Sequence, residues 1–73
     1  MTLLEKIKET AEKGFDIQFR NGANTIPPTM SMHIVPEERY VMGYDFLFLP
    51  DQWNEDSIIE AIDYIMKKFE ERK

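Results

Sequence analysis

Apolar residues recur along this chain in two rhythms, and the rhythm changes twice. Near the start, Leu3, Leu4, Ile7, Thr10 and Ala11 fall on one side of a wheel drawn at ~100° per residue, with Glu5, Lys8, Glu9 and Glu12 opposite. This spacing predicts a helix over 2–13. Thr2 and Glu5 supply the T-x-x-E capping box, in which each side chain satisfies a first-turn backbone N–H. Gly14 stands where a left-handed residue closes a helix, and Lys13 suits the negative end of its dipole. From Phe15 the period drops to two. Phe15-Asp16-Ile17-Gln18-Phe19-Arg20 predicts a half-buried strand with Phe15, Ile17 and Phe19 inward. Asn21-Gly22 breaks that run, and Pro27-Pro28 follows too soon for an immediate partner strand, so 21–29 is expected as an irregular loop. A second strand is expected over 30–35, closed by Pro36-Glu37-Glu38-Arg39, and a third over 40–49. After Pro50 the helical period returns. Ile58, Ile62, Ile65 and Phe69 form a seam flanked by Ile59, Ala61 and Met66, with Asn54 as N-cap.

The third strand constrains its own pairing. One face carries Tyr40, Met42, Tyr44, Phe46 and Phe48, the other Val41, Gly43, Asp45, Leu47 and Leu49. An unpaired buried Asp45 is costly, so the aromatic set faces the core. Directly opposed residues share a face. Met30, Met32 and Ile34 therefore join the aromatics only if paired residue numbers sum to an even value, which requires a connection of three or five residues, or a bulge. The five-residue version sets Ser31 opposite Asp45, with His33 diagonal to both. The expected fold is α+β with order α-β-β-β-α: a single domain over 1–73, in which both helices cover one face of a three-stranded antiparallel meander.

Composition narrows the functional classes. A chain of 73 residues has room for one small core. It contains no cysteine and a single histidine, His33, which excludes disulfides, thiolate zinc and multi-histidine sites within one chain. The net charge of −5 disfavours direct nucleic-acid binding, because neutralising phosphates takes clustered Lys and Arg. No signal-like or membrane-spanning apolar run is present, and a cytoplasmic location without membrane partners is expected. Between Glu37 and Asp63, eight acids (Glu37, Glu38, Asp45, Asp51, Glu55, Asp56, Glu60, Asp63) stand against one base, Arg39.

Candidate chemistry is sparse. Ser31, His33 and Asp45 share the open sheet face, but a hydrolytic triad also needs an enclosed site, a presented nucleophile and an oxyanion hole, and the sequence suggests none. Asp51, Glu55 and Asp56 lack the spacing of a calcium loop and serve more simply as capping and dipole-complementing acids. No phosphate loop or dinucleotide fingerprint occurs. No catalytic residue, metal or cofactor is therefore assigned, and a non-enzymatic role is expected. Trp53 is read as a staple folding under the second helix against Ser57 and Ile58, with an exposed binding anchor as the alternative. Met30, Met32 and Met42 are read as adaptable core filler.

Two features exceed what folding alone requires. The back of the second helix carries Asp56, Glu60 and Asp63, with Glu55 and Tyr64 beside them, a negative surface suited to a basic protein. The open sheet face carries Val35, Val41, Leu47 and Leu49, a candidate homodimer patch. The α-β-β-β-α order resembles, over nearly the whole chain, that of double-stranded-RNA-binding domains. That family grips phosphates through a basic cluster at the start of its second helix. Here those positions are Asn54-Glu55-Asp56, so RNA binding is not implied. In size, charge and plan the chain also resembles short acidic phage and mobile-element proteins, including anti-CRISPR proteins that place carboxylates where phosphates would sit. That resemblance implies a protein-interaction module whose acidic helix face binds a basic, nucleic-acid-binding protein. A structural homo-oligomer joined through the open sheet face is the alternative.

Overall fold

The computed structural model describes residues 1–22, 28–37 and 42–71, with residues 21 and 22 in backbone only. The order is α1 (Leu3–Glu12), β1 (Phe15–Gly22), β2 (Thr29–Pro36), β3 (Tyr44–Phe48), a short 3₁₀ turn (Pro50–Gln52) and α2 (Glu55–Glu71). The three strands form one antiparallel sheet in the order β1-β2-β3, which is the expected α+β plan.

The local signals at the helix ends act as the sequence predicts. Thr2 Oγ1 accepts from the Glu5 amide at 3.1 Å, and Glu5 Oε1 accepts from the Thr2 amide at 3.0 Å, closing the capping box. The Thr2 N–H donated to Glu5 holds that carboxyl below its usual range. Gly14 has φ +90°, the left-handed closure that a residue without Cβ adopts cheaply. Asn54 Oδ1 accepts from the Ser57 amide at 2.9 Å and caps α2.

Parity holds in the sheet. Met30 pairs with Phe48, Met32 with Phe46 and Ile34 with Tyr44, all even sums, so methionine, isoleucine and aromatics share the helix-covered face. The register itself is shifted by two residues from the five-residue-connection version. Ser31 opposes Leu47, and His33 opposes Asp45. Among the described residues the last pair is Ile34 with Tyr44, so β3 begins at Tyr44, and Met42 stands exposed before the strand instead of filling the core. Tyr40 and Val41 lie outside the described residues. At its other end the sheet is longer than expected: β1 continues through Asn21-Gly22, which pair with Met30 and Thr29. Gly43 permits the close approach of β3 to β2. A Cβ there would collide with the Ile34 carbonyl and would lie 3.0 Å from Val35 Cβ.

The core is Met32, Ile34 and Phe48 from the sheet, against Ile58, Ala61, Ile62, Ile65 and Phe69 from α2. Leu3, Phe15, Ile17, Met30, Tyr44, Phe46 and Met66 pack around it. Phe69 meets Phe15 and Tyr44 at centroid distances of 4.7 and 4.9 Å, joining both edges of the sheet to the end of α2.

The face that α1 buries differs from the one its apolar residues predict. Leu3, Ile7 and Thr10 lie inward as the spacing predicts, but Leu4 and Ala11 are exposed and Lys6 is buried instead. Each polar group is satisfied there. Thr10 Oγ1 donates to the Lys6 carbonyl at 2.8 Å, and the Lys6 ammonium pairs with Asp63 of α2 and with Glu9 at 3.3 Å. A lysine enters a helix contact when its stem packs and a carboxylate meets its head.

Candidate functional site

The helical wheel of α2 explains how its acids are distributed. With the isoleucine seam on the sheet, Glu55 and Asp63 fall on the flank toward α1, Ser57, Ala61, Tyr64 and Lys68 on the flank toward β3, and Glu60 near the top. Contacts on both flanks agree. Glu55 Oε1 accepts from the Leu3 amide at 2.8 Å, tying the starts of the two helices together, and Asp63 holds Lys6. Those two acids, expected at a partner surface, are engaged inside the fold. Both remain exposed as residues, and neither is a free charge. Sequence spacing missed this because nothing on α2 signals that a lysine of α1, far away along the chain, arrives beside it.

Asp56, Glu60 and Tyr64 remain outward. Among the described residues, neither Asp56 nor Glu60 has an ion-pair partner, and Tyr64 is 55% exposed. Glu60 and Tyr64 also rim an open groove of about 300 Å³ between α2 and β3, lined by Phe46, Phe48, Gln52, Ser57 and Ala61. The groove exists because α2 lies over Met32, Ile34 and Phe48 while α1 packs on the β1 side, which leaves the inner face of β3 short of cover. Phe46 and Phe48 meet at 4.8 Å along its floor with their rings tilted by 43°, and the Lys68 ammonium lies over the rings of Tyr64 (5.0 Å) and Tyr44 (5.9 Å) at one end. At the other end Trp53 is 43% exposed, its indole N–H donating to the Phe48 carbonyl at 3.2 Å. Trp53 is thus not the buried staple expected; it caps the end of β3 with one face in solvent.

On the opposite side of the sheet the four proposed apolar positions do not form one patch. Val35 opposes Asp16 and lies four residues along β2 from the position facing Leu47, about 13 Å at strand rise. The hydrogen-bonded His33–Asp45 pair sits between them. Val41 lies outside the described residues, so Leu47 and Leu49 at the β3 edge are what remain exposed together. Ser31 faces Leu47, with no hydrogen bond to His33 among the described residues. The Ser-His-Asp arrangement is therefore a histidine–aspartate cross-strand pair with a serine one position removed. Among the described residues no group of three or more His, Cys, Asp or Glu side chains is placed to hold a metal ion, and no helix is long and apolar enough to cross a membrane. Compared with known protein families, characterised proteins and solved structures, the chain matches none.

Proposed function

We propose that this chain is a non-enzymatic protein-interaction module that receives a basic protein surface on the outer side of α2, through Asp56 and Glu60 with Tyr64 beside them. The observation behind this reading is the division of labour on α2. Two of its acids are engaged by α1, while Asp56 and Glu60 face solvent without a cation among the described residues, next to an exposed tyrosine. Unpaired carboxylates attract cationic partners and speed their encounter, and a half-exposed tyrosine adds rigid contact area at low entropic cost. Phage or mobile-element origin, with a nucleic-acid-binding protein as target, is the specific form of this proposal.

Affinity capture with the wild-type chain and with D56K/E60K, from the same lysate and at two salt concentrations, tests it. Basic proteins should be retained by the wild type, lost from the variant and released by salt. Capture that is unchanged by charge reversal and insensitive to salt would overturn the reading.

A further inference from the structure

We infer that β3 is a self-association edge: two copies of the chain pair β3 to β3, antiparallel and centred on Phe46, to make one sheet across both. This goes beyond the acidic-surface reading and does not rest on it. The sheet order leaves β3 at an edge, and Phe46 and Leu47, side by side in its middle, face the open groove and solvent respectively. Edge strands of monomers are ordinarily protected by short length, charged side chains, proline, a bulge or a covering segment. Tyr44-Asp45-Phe46-Leu47-Phe48 is short and carries one charge, Asp45, but has no lysine, proline or bulge, and Leu47 is 65% exposed.

The strand's own residues narrow the register, and only a centre at Phe46 pairs all five residues of Tyr44–Phe48. Centring the twofold on Asp45 would oppose two carboxylates, and centring it between residues would set inner-face positions against outer-face ones. Centring it on Phe46 sets Asp45 of each copy against Leu47 of the other and brings the two Phe46 rings together on the groove side. It also opposes complementary charge. α2 runs antiparallel to β3, since Trp53, just before α2, bonds the Phe48 carbonyl while Phe69 and Lys68 near its end meet the Tyr44 ring. A twofold at Phe46 therefore lays the two α2 helices antiparallel, with Lys68 of one, on the flank toward β3, directed at the Glu60 half of the other. Charges and helix dipoles then both oppose favourably, and the same patch serves both copies, as a twofold interface requires.

Two measurements test the pairing. Sedimentation velocity over about 5–500 µM should show the mass rising toward twice the monomer, with K68E weakening association about tenfold by setting acid against acid. Because the chain has no cysteine, D45C and L47C can then report register. Opposed residues on paired strands lie about 4.5–5.5 Å apart between Cα atoms, within disulfide reach, while same-face diagonal positions lie about 7–8 Å apart, outside it. An oxidised mixture of D45C and L47C should crosslink, and neither alone should. A monomer at every concentration overturns the proposal, whatever other partner then takes the edge. So does a dimer that no combination crosslinks, or one that D45C alone crosslinks. Neither result bears on capture by the monomer, in which Asp56 and Glu60 have no cation among the described residues; the dimer would set Glu60 toward Lys68 of the other copy.

Discussion

Replacing Asp63 by asparagine should destabilise the fold more than replacing Lys6 by methionine, although Lys6 is the buried partner. The Lys6 side chain is 11% exposed and that of Asp63 58%. Two unit charges 4 Å apart attract by about 1 kcal/mol in water and about 4 kcal/mol at an effective dielectric of 20. With Asp63 more than half in solvent, the lower end applies. D63N leaves the Lys6 ammonium, among the described residues, with Glu9 alone at 3.3 Å to meet it, and should cost about 1 kcal/mol. K6M keeps the stem's packing between the helices, removes the charge that dislikes burial and leaves Asp63 to water, so its cost should fall within about 0.5 kcal/mol of zero. For a domain of this size 1 kcal/mol moves the Tm by about 4–8 °C, which thermal and urea unfolding followed by circular dichroism resolve easily. The pH dependence gives a second readout. The hydrogen bond to Asp63 raises the Lys6 pKa above its ordinary 10.5, with burial opposing and Glu9 assisting. A folded value above the unfolded one means that the stabilisation is complete below pH 10.5 and drains away as pH rises through the folded value. K6M should therefore lose less stability on alkaline titration than the wild type. A K6M variant less stable than D63N, or one with an unchanged alkaline limb, would refute this account.

Three other outcomes follow from the same geometry. G43A should cost about 2 kcal/mol, because its methyl group meets the Ile34 carbonyl and β2 and β3 must part; urea midpoints measure it. I62A removes a side chain with no exposure at the centre of the core and should cost about 3 kcal/mol, enough to leave so small a domain largely unfolded by circular dichroism at 25 °C. Glu5, whose folded pKa is lowered by the Thr2 N–H, supports α1 above its ordinary 4.5 and loses that support as pH falls through the folded value. The amide resonances of Thr2 and Glu5 should move together over that acid range, and E5Q should abolish the movement.

Features confined to one element, or set only by the pleat of a strand, are legible in the sequence alone. The capping box at Thr2 and Glu5, the left-handed Gly14 and the Asn54 cap involve partners within four residues, so chain connectivity brings them together. The even-sum pairing of β2 with β3 is equally accessible, because side chains alternate and Asp45 cannot be buried unpaired. Parity, however, is blind to shifts of two. Whether Asp45 meets Ser31 or His33 depends on how the chain turns between β2 and β3 and on how closely Gly43 lets them approach.

What surrounds the candidate site was decided in tertiary contact. The helical period placed Leu4 inward and gave Lys6 to neither side; in the packed structure Leu4 is exposed and Lys6 is buried beside Asp63. The same encounter withdrew Glu55 and Asp63 from the acidic surface and left Asp56 and Glu60 to it. Trp53 stayed in solvent because the Phe48 carbonyl at the strand end captured its indole N–H. Sequence by itself determined the order of the elements, the helix caps and the inward face of α2, and most of the inward positions of the sheet, though Phe19 and Met42 are exposed, since those energies are local and additive. The pairing of charges, the uncovered groove beside β3 and the partners of its edge depend on residues brought together from distant parts of the chain, where burial and charge are settled jointly.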